Sequence, residues 1–433
     1  MVAENGQGKS TVLDAIRIAL WPYVNSFDLA RKVFNDPGNG IAISDVRLLQ
    51  LASGDMARQL PSSVTVSGDY GAESIHQWTR YRDSEAPSTK TKSGGDISGL
   101  KEWAGTLQVE IRNPSSPVRL LPVFGYYGTG RLWAQKHLTE KVKGKDDTRS
   151  DDFYVRTFAY LNCLDPASSY KHFKEWFTWA FESFREHQIK DLERRANSQE
   201  VHDWRDRIAV VQQAIDSFLR PATGWHTLEY SVSHEKSLVL HHDEAGTLDV
   251  ELLSDGIRSV LAMIGDIAYR CAKLNPELGI EAARETNGVV LIDEVDMHLH
   301  PRWQQAILGQ LRSAFPKVQF VVTTHSPQVL STVPSECIRI LRDSSAYAAP
   351  PGTEGAEPGR LLKQVLGLKE LRPPGSEATK ELKEYLALVD AGEWDGARAR
   401  QLRTILDSRY QGNEPALLDA DLQIENRKWE LEG

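Results

Sequence analysis

The feature that most constrains the fold of this chain is a glycine-rich segment near its first residue, Asn5–Thr11, which reads NGQGKST. Glycines at this spacing let main-chain N–H groups wrap phosphates, a lysine adds charge at the β- and γ-phosphates, and the next hydroxyl ligates Mg²⁺. The segment predicts a phosphate-binding loop (P-loop) that runs into a helix, although Ala3 stands where the usual pattern has its first glycine. The candidate nucleotide-binding residues are Asn5, Gly6, Gly8, Lys9, Ser10 and Thr11, with Ser10 also a candidate metal ligand.

A second motif places two carboxylates directly after a predicted buried strand. The apolar run Gly288–Ile292 is followed by Asp293 and Glu294. Open α/β sheets place their ligands at the carboxyl ends of strands. In a phosphate-transferring site, Asp293 would hold Mg²⁺ through water, and Glu294 would orient or deprotonate the attacking water. An acidic strand end without a catalytic role is the alternative, and the P-loop in the same chain disfavours it.

Two shorter elements complete the set of motifs. Ser254, Asp255 and Gly256 open a predicted helix, and a serine hydroxyl at a helix N-terminus can bind an anion. A simple helix N-cap is the other interpretation of this serine, and both can hold at once. His325 belongs to the segment Thr323–Pro327, which directly follows the predicted strand Val318–Val322.

Together these motifs resemble the ABC-type ATPases of the RecF, SMC and OLD group. The fuller pattern is similar to the stand-alone ATPases of bacterial defence operons, of which PtuA of the Septu system is the type. The resemblance is carried by Val123–Trp133, Leu253–Arg270, Asp293–Gln304 and Thr323–Pro327, and it spans most of the chain ahead of its C-terminal tail. It implies that two copies close head to tail around ATP and Mg²⁺.

The resemblance also implies roles for single residues. Ser254–Gly256 would act as the family signature and face the nucleotide held by the other subunit, with Asp255 in place of a glycine. Tyr126–Arg131 stands where such heads carry their Q-loop; it contains no glutamine, and Arg131 is a candidate nucleotide or interface contact. The catalytic candidates are Glu294, His325, which would contact the γ-phosphate, and Lys9.

The implied partners are a second copy of this chain and a small HNH endonuclease. The chain would then sense ATP and regulate the nuclease, and it would meet nucleic acid through the complex. A DNA-repair ATPase of RecF type, acting directly on duplex DNA, is an alternative. So is a nuclease of OLD type, because Asp419 and Asp421 have the spacing of a Toprim metal pair, although helical surroundings favour solvated carboxylates. His298 and His300 lack a third metal ligand at the usual spacing, so we expect them to shape a loop.

The predicted fold class is α/β, an ABC-type P-loop NTPase head with an antiparallel β lobe, a helical insertion and a helical C-terminal tail. The head is predicted over 1–342, with its β lobe at 45–135, its insertion at 150–222 and its signature lobe at 250–342; a linker at 343–360 leads to the helical region 361–433. Residues 136–152 are predicted to form a mobile loop. Only Met1–Ala3 precede the P-loop, so we expect the N-terminal strand of such heads to be missing, which would leave its neighbours unpaired and loosen the phosphate-binding loop. The motifs alone therefore do not guarantee that this chain hydrolyses ATP.

Composition limits the remaining classes. A net charge of −9 argues against a generally basic nucleic-acid-binding surface. No apolar run approaches bilayer length, nothing resembles a signal peptide, and the three cysteines are far apart, so we predict a cytoplasmic protein with reduced thiols and no membrane contact. One aromatic stripe could stack bases but is predicted to be core; it comprises Tyr170, Phe173, Trp176, Phe177, Phe181 and Phe184.

Overall fold

The computed structural model describes residues 1–30, 39–71, 74–130, 154–166, 169–194 and 198–432. The candidate Arg131 and the loop predicted over 136–152 lie outside the described residues. The chain divides into two compact units, Met1–Pro358 and Gly359–Gly433. Within the described ranges, none of the helices is both long enough and apolar enough to cross a bilayer.

The first unit contains helices and strands, and the described elements of the second unit are helices. The helices are α1 (Lys9–Val24), α2 (Ile97–Arg112), α3 (Ser169–Arg194), α4 (Gln199–Thr223), α5 (Asp255–Leu274), α6 (Ala282–Glu285), α7 (Pro301–Gln304), α8 (Ile307–Ala314), α9 (Pro327–Leu330), α10 (Pro358–Gln364), α11 (Glu377–Asp390), α12 (Ala397–Tyr410) and α13 (Pro415–Glu432). The strands are β1 (Leu48–Gln50), β2 (Met56–Arg58), β3 (Ser62–Gly68), β4 (His76–Arg82), β5 (Lys92–Gly95), β6 (Val123–Tyr127), β7 (Trp225–Ser231), β8 (Ser237–His242), β9 (Gly246–Asp249), β10 (Gly288–Ile292), β11 (Val318–Val322), β12 (Arg339–Arg342) and β13 (Ser345–Ala348).

A parallel sheet of order β11–β10–β6 carries the candidate site of the first unit. Its central strand β10 is a run of β-branched and other apolar side chains, which suits a strand covered on both faces. Val290 aligns with Phe320 on one side and with Gly125 on the other. The predicted strands Gly288–Ile292 and Val318–Val322 are confirmed with their bounds.

The third strand of this sheet lies further along the chain than its apolar run predicted. The sequence predicts a strand over Leu120–Phe124, whereas β6 begins at Val123. The N–H of Leu121 donates instead to the side-chain oxygen of Asn275 at 2.7 Å, and a proline has no N–H to offer a neighbouring strand. Gly288 lets the two strands approach, because a Cβ there would stand 1.9 Å from the carbonyl oxygen of Val123.

The residues ahead of the P-loop fill the sheet edge that was expected to be unpaired. The nitrogen of Met1 donates to Val322 O at 2.6 Å, and the N–H of Thr324 donates to Met1 O at 3.2 Å. On the other side, Val2 exchanges main-chain hydrogen bonds with Arg339 and Leu341 and forms a parallel bridge to β12. The expectation that these neighbours are unpaired is therefore wrong. Met1 and Val2 join β11 to the hairpin β12–β13 through main-chain hydrogen bonds.

Antiparallel sheets surround this centre. The sheet β3–β4–β5 lies beside the P-loop helix, where the indole N–H of Trp78 donates to Ala19 O at 2.9 Å. The sheet β7–β8–β9 lies beside α4, where the amide of Gln212 donates to Leu228 O at 2.9 Å. These two side-chain bonds tie each sheet to the helix that covers it.

The long helices α3, α4 and α5 pack against one another around an aromatic core. Of the predicted aromatic stripe, Phe173, Trp176, Phe177 and Phe181 are buried and Phe184 packs against the same cluster, which confirms the core interpretation for these side chains; the side chain of Tyr170 is not among those described. The rings of Trp176 and Tyr269 are 4.7 Å apart between centroids. Helix α5, which begins at the signature residues, is thereby anchored along its length.

Most of the stretch 343–360, predicted to be a linker, belongs to the first unit, which ends at Pro358. Its beginning pairs with β12 as the strand β13, and the hydroxyl of the buried Thr353 donates to Val333 O at 2.9 Å. The many small residues of this stretch predicted a flexible linker. Its first residues instead form a strand, because their main chain pairs with β12. The second unit is a separate helical cluster, whose core includes Leu382, Leu402 and Leu417.

The acidic pair considered for a Toprim site lies on α13 of the second unit. Asp421 accepts from both terminal nitrogens of Arg403, one of them at 2.9 Å, and Asp419 is exposed. No group of three or more His, Cys, Asp and Glu side chains suited to a metal occurs among the described residues of the chain. These carboxylates therefore behave as surface and ion-pair residues, as the sequence favoured.

Candidate nucleotide-binding site

The P-loop forms a tight main-chain turn at the start of α1. Gly6 and Gly8 have φ values of 80° and 88°, in the left-handed region that favours glycine, and Gly8 is the N-cap of α1. The ammonium of Lys9 turns back over the loop and donates to Ala3 O at 3.1 Å and Glu4 O at 3.4 Å. A left-handed glycine turn at a helix N-terminus is the backbone geometry that binds phosphate.

The charge of Lys9 is poised by opposing effects. Burial lowers the pKa of this lysine, while the carboxylates of Glu294, Asp293 and Asp296 raise it. Its side chain is largely buried, at 8% residue exposure. The P-loop cation and the strand-end carboxylates therefore belong to one electrostatic cluster, as their motifs predicted.

Two oxygen ligands suited to Mg²⁺ meet at the next position. The hydroxyl of Ser10 donates to Asp293 Oδ2 at 2.6 Å, across 283 residues of sequence. The N–H of Asp293 donates to Tyr127 O at 2.8 Å, which holds the end of β10 against β6. A hydroxyl and a carboxylate are the hard donors that Mg²⁺ prefers, usually with waters and substrate phosphates completing the shell.

The second carboxylate stands on a strained turn. Glu294 has a φ of 48°, in the left-handed region that non-glycine residues rarely adopt. Its N–H donates to Thr323 Oγ1 at 2.8 Å, and the following N–H, of Val295, donates to Thr323 O at 3.0 Å. The left-handed residue lies two positions after the end of β10, so the chain turns directly after Asp293.

A tyrosine and an aspartate join the site without belonging to any of the predicted motif roles. The hydroxyl of Tyr126 hydrogen-bonds Asp14, one turn of α1 beyond Ser10. Burial raises the pKa of Asp14, and the positive charge of Arg17 opposes that rise. Burial also raises the pKa of Tyr126, and the negative charges of Asp14 and Asp293 raise it further. Tyr126 begins the stretch compared with the Q-loop, which was the one sequence signal for it.

The signature residues open α5 at the surface. Ser254 is the N-cap, and its hydroxyl oxygen accepts from the N–H of Ile257 at 3.5 Å, so the capping interpretation is confirmed. Ser254 and Asp255 are exposed. Gly256 abuts the loop that follows β10, because a Cβ there would stand 2.7 Å from His298 O. The exposed hydroxyl and the helix N-terminus remain available to an anion.

Hydroxyl side chains in the loop after β11 form hydrogen bonds with the segment that follows β10. The hydroxyl of Thr324 donates to Asp296 Oδ1 at 2.5 Å. The hydroxyl of Ser326 donates to Gln304 Oε1 at 2.7 Å, and the amide of Gln304 donates to Leu299 O at 2.9 Å. The two loops thus form one hydrogen-bonded body at the carboxyl end of the sheet.

The histidines of these loops have different positions. His325 lies half-buried between Thr324 and Ser326, at the sheet edge that carries the carboxylates. His300 is the N-cap of α7, with its Nδ1 accepting from the N–H of Arg302 at 3.3 Å, and His298 is exposed with a φ of 63°. His300 is therefore a structural cap.

The structure thus brings Lys9, Ser10, Asp293 and Glu294 together, and it packs Gly256 of the signature against the loop after β10. Sequence reasoning missed the supporting side chains of this site. Those side chains are Asp14, Tyr126, Gln304, Thr323 and Thr324. No sequence motif assigns a hydrogen-bond partner to any of these side chains, so their roles follow only from their contacts in the folded chain.

Comparison with known proteins covers the same regions. A family described as "AAA domain" matches residues 1–216, and a family described as "AAA domain, putative AbiEii toxin, Type IV TA system" matches residues 162–331. The "Retron Ec83 probable ATPase" of Escherichia coli is 28% identical over 470 residues, which is 99% of this chain and 82% of that protein. The "Septu protein PtuA" of Bacillus mycoides (strain KBAB4) is 35% identical over 134 residues, 30% of this chain and 18% of that protein.

Among solved structures, the Smc head domain with an extended coiled coil derived from Pyrococcus furiosus covers 80% of this chain, and 88% of its own length is matched, at a TM-score of 0.41 and 15% identity. The two AAA-domain matches together include the P-loop, the signature, the strand-end carboxylates and His325. The chain is an ATPase whose AAA-domain matches together run from residue 1 to residue 331, and its phosphate-binding turn, its carboxylate pair and its ATPase relatives support an ABC-type ATPase of the RecF, SMC and OLD group.

Proposed function

We propose that this chain is the ATP-hydrolysing subunit of a bacterial antiviral defence complex, that it dimerises head to tail around ATP, and that it regulates a partner nuclease of HNH type. The observation that carries the proposal is the separation of the site into two parts. The P-loop and the carboxylates are joined by the hydrogen bond between Ser10 and Asp293, whereas Ser254 and Asp255 of the signature are exposed. Relatives named for retron and Septu systems supply the biological setting.

The residues of one copy have complementary roles in this proposal. ATP supplies the phosphoanhydride bond to be cleaved, and bound Mg²⁺ would neutralise part of the negative charge on the phosphates. The main-chain N–H groups of Asn5–Thr11 and the ammonium of Lys9 bind the phosphates, and Ser10 with Asp293 holds the metal. Glu294 orients the attacking water and accepts its proton, and His325 contacts the γ-phosphate.

The second copy completes the site through its signature. Ser254 and Asp255 are exposed at the N-terminus of α5, a helix of 20 residues whose first N–H groups favour an anion. The chain packs Gly256 against the loop after β10, so the signature and the carboxylate loop share one surface. A head-to-tail arrangement would place each signature on the nucleotide held by the other copy.

Two variants at the nucleotide test the core of the proposal. Glu294→Gln keeps the side-chain shape but removes the base, so it should retain ATP and shift the chain toward dimers in light scattering. Lys9→Ala should lose ATP binding and the ATP-dependent dimer. Nucleotide binding and oligomeric state that are the same in Lys9→Ala and the unaltered chain would refute the proposal.

A signature variant separates dimerisation from ATP binding. Ser254→Arg places a bulky cation on the exposed surface, so it should abolish the ATP-dependent dimer while one copy still binds ATP. Ser53→Arg, at an exposed serine between β1 and β2, is the matched control and should behave like the unaltered chain. Loss of dimers in both variants, or in neither, would contradict the assignment of the signature.

The partner distinguishes the defence role from the DNA-repair alternative. An HNH protein encoded by a neighbouring gene, expressed together with this chain, should co-purify with it. Cleavage of DNA by the HNH protein should change when Lys9 of this chain is replaced by Ala. An ATPase of RecF type would instead bind duplex DNA alone, with an affinity that falls steeply with salt. ATP-stimulated DNA binding by the isolated chain, without an HNH partner, would favour that alternative.

A further inference from the structure

Thr323, the residue directly after β11, contacts the candidate metal ligand Asp293 and the catalytic candidate Glu294 at once. It is fully buried, at 0% exposure. Its hydroxyl donates to Asp293 Oδ1 at 2.5 Å and accepts from the N–H of Glu294 at 2.8 Å. Main-chain bonds surround it: its N–H donates to Ile292 O at 2.9 Å, and its carbonyl accepts from the N–H of Val295 at 3.0 Å.

The first contact divides the two oxygens of Asp293 between different tasks. Oδ1 accepts from Thr323, and Oδ2 accepts from Ser10 at 2.6 Å. A hydroxyl carries one proton, so an oxygen that donates it to Asp293 accepts from Glu294 through a lone pair. The carboxylate plane is held at both ends, which aims Oδ2 at the hydroxyl that begins α1.

The second contact holds the turn at Glu294. A left-handed φ at a residue other than glycine costs on the order of 1–3 kcal/mol and persists where the surroundings enforce it. Here Thr323 binds the N–H groups on both sides of the Glu294 carbonyl, one with its hydroxyl and one with its own carbonyl. The direction of the Glu294 side chain therefore depends on Thr323.

We propose that Thr323 is a positioning residue for ATP hydrolysis, whose hydroxyl sets the orientation of Asp293 toward the metal and of Glu294 toward the attacking water. The inference rests on the proposed roles of these two carboxylates. Thr323 touches neither nucleotide nor water in this account, and it acts through the carboxylates alone. Its neighbour Thr324 serves a separate contact, with Asp296.

Two substitutions isolate the hydroxyl. Thr323→Val preserves the shape of the side chain and removes the hydroxyl, whereas Thr323→Ser keeps the hydroxyl. Supporting residues of this kind change metal affinity or activity by about 10- to 100-fold. We expect Thr323→Val to lower kcat by that factor with less than about a threefold change in ATP affinity measured in EDTA, and Thr323→Ser to stay within about threefold of the unaltered chain.

Thr286→Val is the matched control for the loss of a buried hydroxyl. Thr286 is also fully buried, and its hydroxyl oxygen accepts from the Asn275 amide at 2.9 Å, away from the carboxylates. This variant should lower the urea midpoint of unfolding without lowering kcat. An equal loss of kcat in Thr286→Val and Thr323→Val would mean that the effect is general destabilisation, and it would overturn the inference.

A readout without nucleotide tests the same geometry. Hydrogen exchange, followed by mass spectrometry on the chain alone, should speed up in the peptide that contains Glu294 and Val295 when Thr323 becomes Val, and should stay unchanged when it becomes Ser. Unchanged exchange together with unchanged kcat would overturn the positioning role. If the unaltered chain hydrolyses ATP no faster than Lys9→Ala, the proposed function fails, while the exchange result still decides whether Thr323 holds the turn.

Discussion

Gly256 and His298 are in direct contact: a Cβ at residue 256 would stand 2.7 Å from the main-chain oxygen of His298. Gly256 belongs to the signature that opens α5, and His298 belongs to the loop that begins at Glu294. The contact joins the part of the chain proposed to face a second copy to the part proposed to act on its own nucleotide. We therefore expect a shift of either part to disturb the other.

A methyl group at this contact should disturb both parts. Gly256→Ala forces the helix start or the loop to shift, so we expect a loss of about 1–3 kcal/mol in the free energy of unfolding and a clear fall in ATP turnover. Gly105→Ala is the matched control, since Gly105 lies in α2 and a Cβ added there would meet no atom within 4 Å; it should gain about 0.5–1 kcal/mol. Urea unfolding and phosphate release measure the two effects, and equal behaviour of the two variants would disprove the role of the contact.

A buried ionic cluster links α5 to β6. Arg270 Nε donates to Asp266 Oδ2 at 2.7 Å, and the hydroxyl of Tyr127 donates to the same oxygen at 2.7 Å. Burial raises the pKa of Asp266, and the neighbouring Arg270 opposes that rise. Because Tyr127 O also accepts from the N–H of Asp293, the cluster stabilises the strand that carries the carboxylates.

Breaking this cluster should cost more than replacing it. Arg270→Met leaves a buried carboxylate without its cation, so we expect a loss of about 3–5 kcal/mol in unfolding free energy. The double variant Asp266→Leu/Arg270→Met removes both charges, and it should recover most of that loss. Chemical denaturation of the two variants decides the matter; a double variant no more stable than Arg270→Met would show that the charges themselves are needed.

Lys273 gives the stability of the first unit a dependence on pH. Burial lowers the pKa of Lys273 to about 7, and the charge of Arg207 adds to the effect. The folded value lies below the value of about 10.4 in an unfolded chain. Between these values the unfolded chain binds more protons, so stability rises with pH, by up to about 1.4 kcal/mol per pH unit from this group.

Removing the buried amine should remove that dependence. Lys273→Met should flatten the rise in unfolding free energy between pH 7 and pH 9, compared with the unaltered chain. Lys101→Met, at an exposed lysine of α2, should leave the rise intact. Urea titrations at several pH values compare the three proteins, and parallel pH curves for all three would contradict this account.

The cysteines should differ in reactivity. Burial raises the pKa of Cys163 and of Cys271 to about 12, whereas Cys337 is exposed. A thiolate is the reactive form, so one thiol per native chain should react rapidly with a disulfide reagent at neutral pH. Cys337→Ser should abolish that rapid phase, and urea should release the remaining two; a rapid phase that survives in Cys337→Ser would contradict the burial of the others.

Short motifs made much of the site predictable. The P-loop, the strand-end carboxylates and the signature are each written in consecutive residues, because backbone geometry at a phosphate demands particular residues at particular spacings. The strand β10 was predictable with its bounds, because a strand covered on both faces is a continuous apolar run. The bounds of β11 were predictable too, although its Gln319 is exposed. The buried aromatic stripe of α3 followed from helical spacing in the same way.

Contacts between distant residues needed the tertiary structure. Thr323 pairs with Asp293 across 30 residues, and no motif assigns it that partner; the pairing of Ser10 with Asp293 across 283 residues was expected from their motifs, but its geometry was not. The same reason explains why Met1 and Val2 fill a sheet edge that the sequence left empty, and why part of the predicted linker is a strand. The sequence by itself determined which groups could bind and cleave a phosphoanhydride; the fold decided how they are oriented, because hydrogen bonds between strand ends depend on which strands become neighbours.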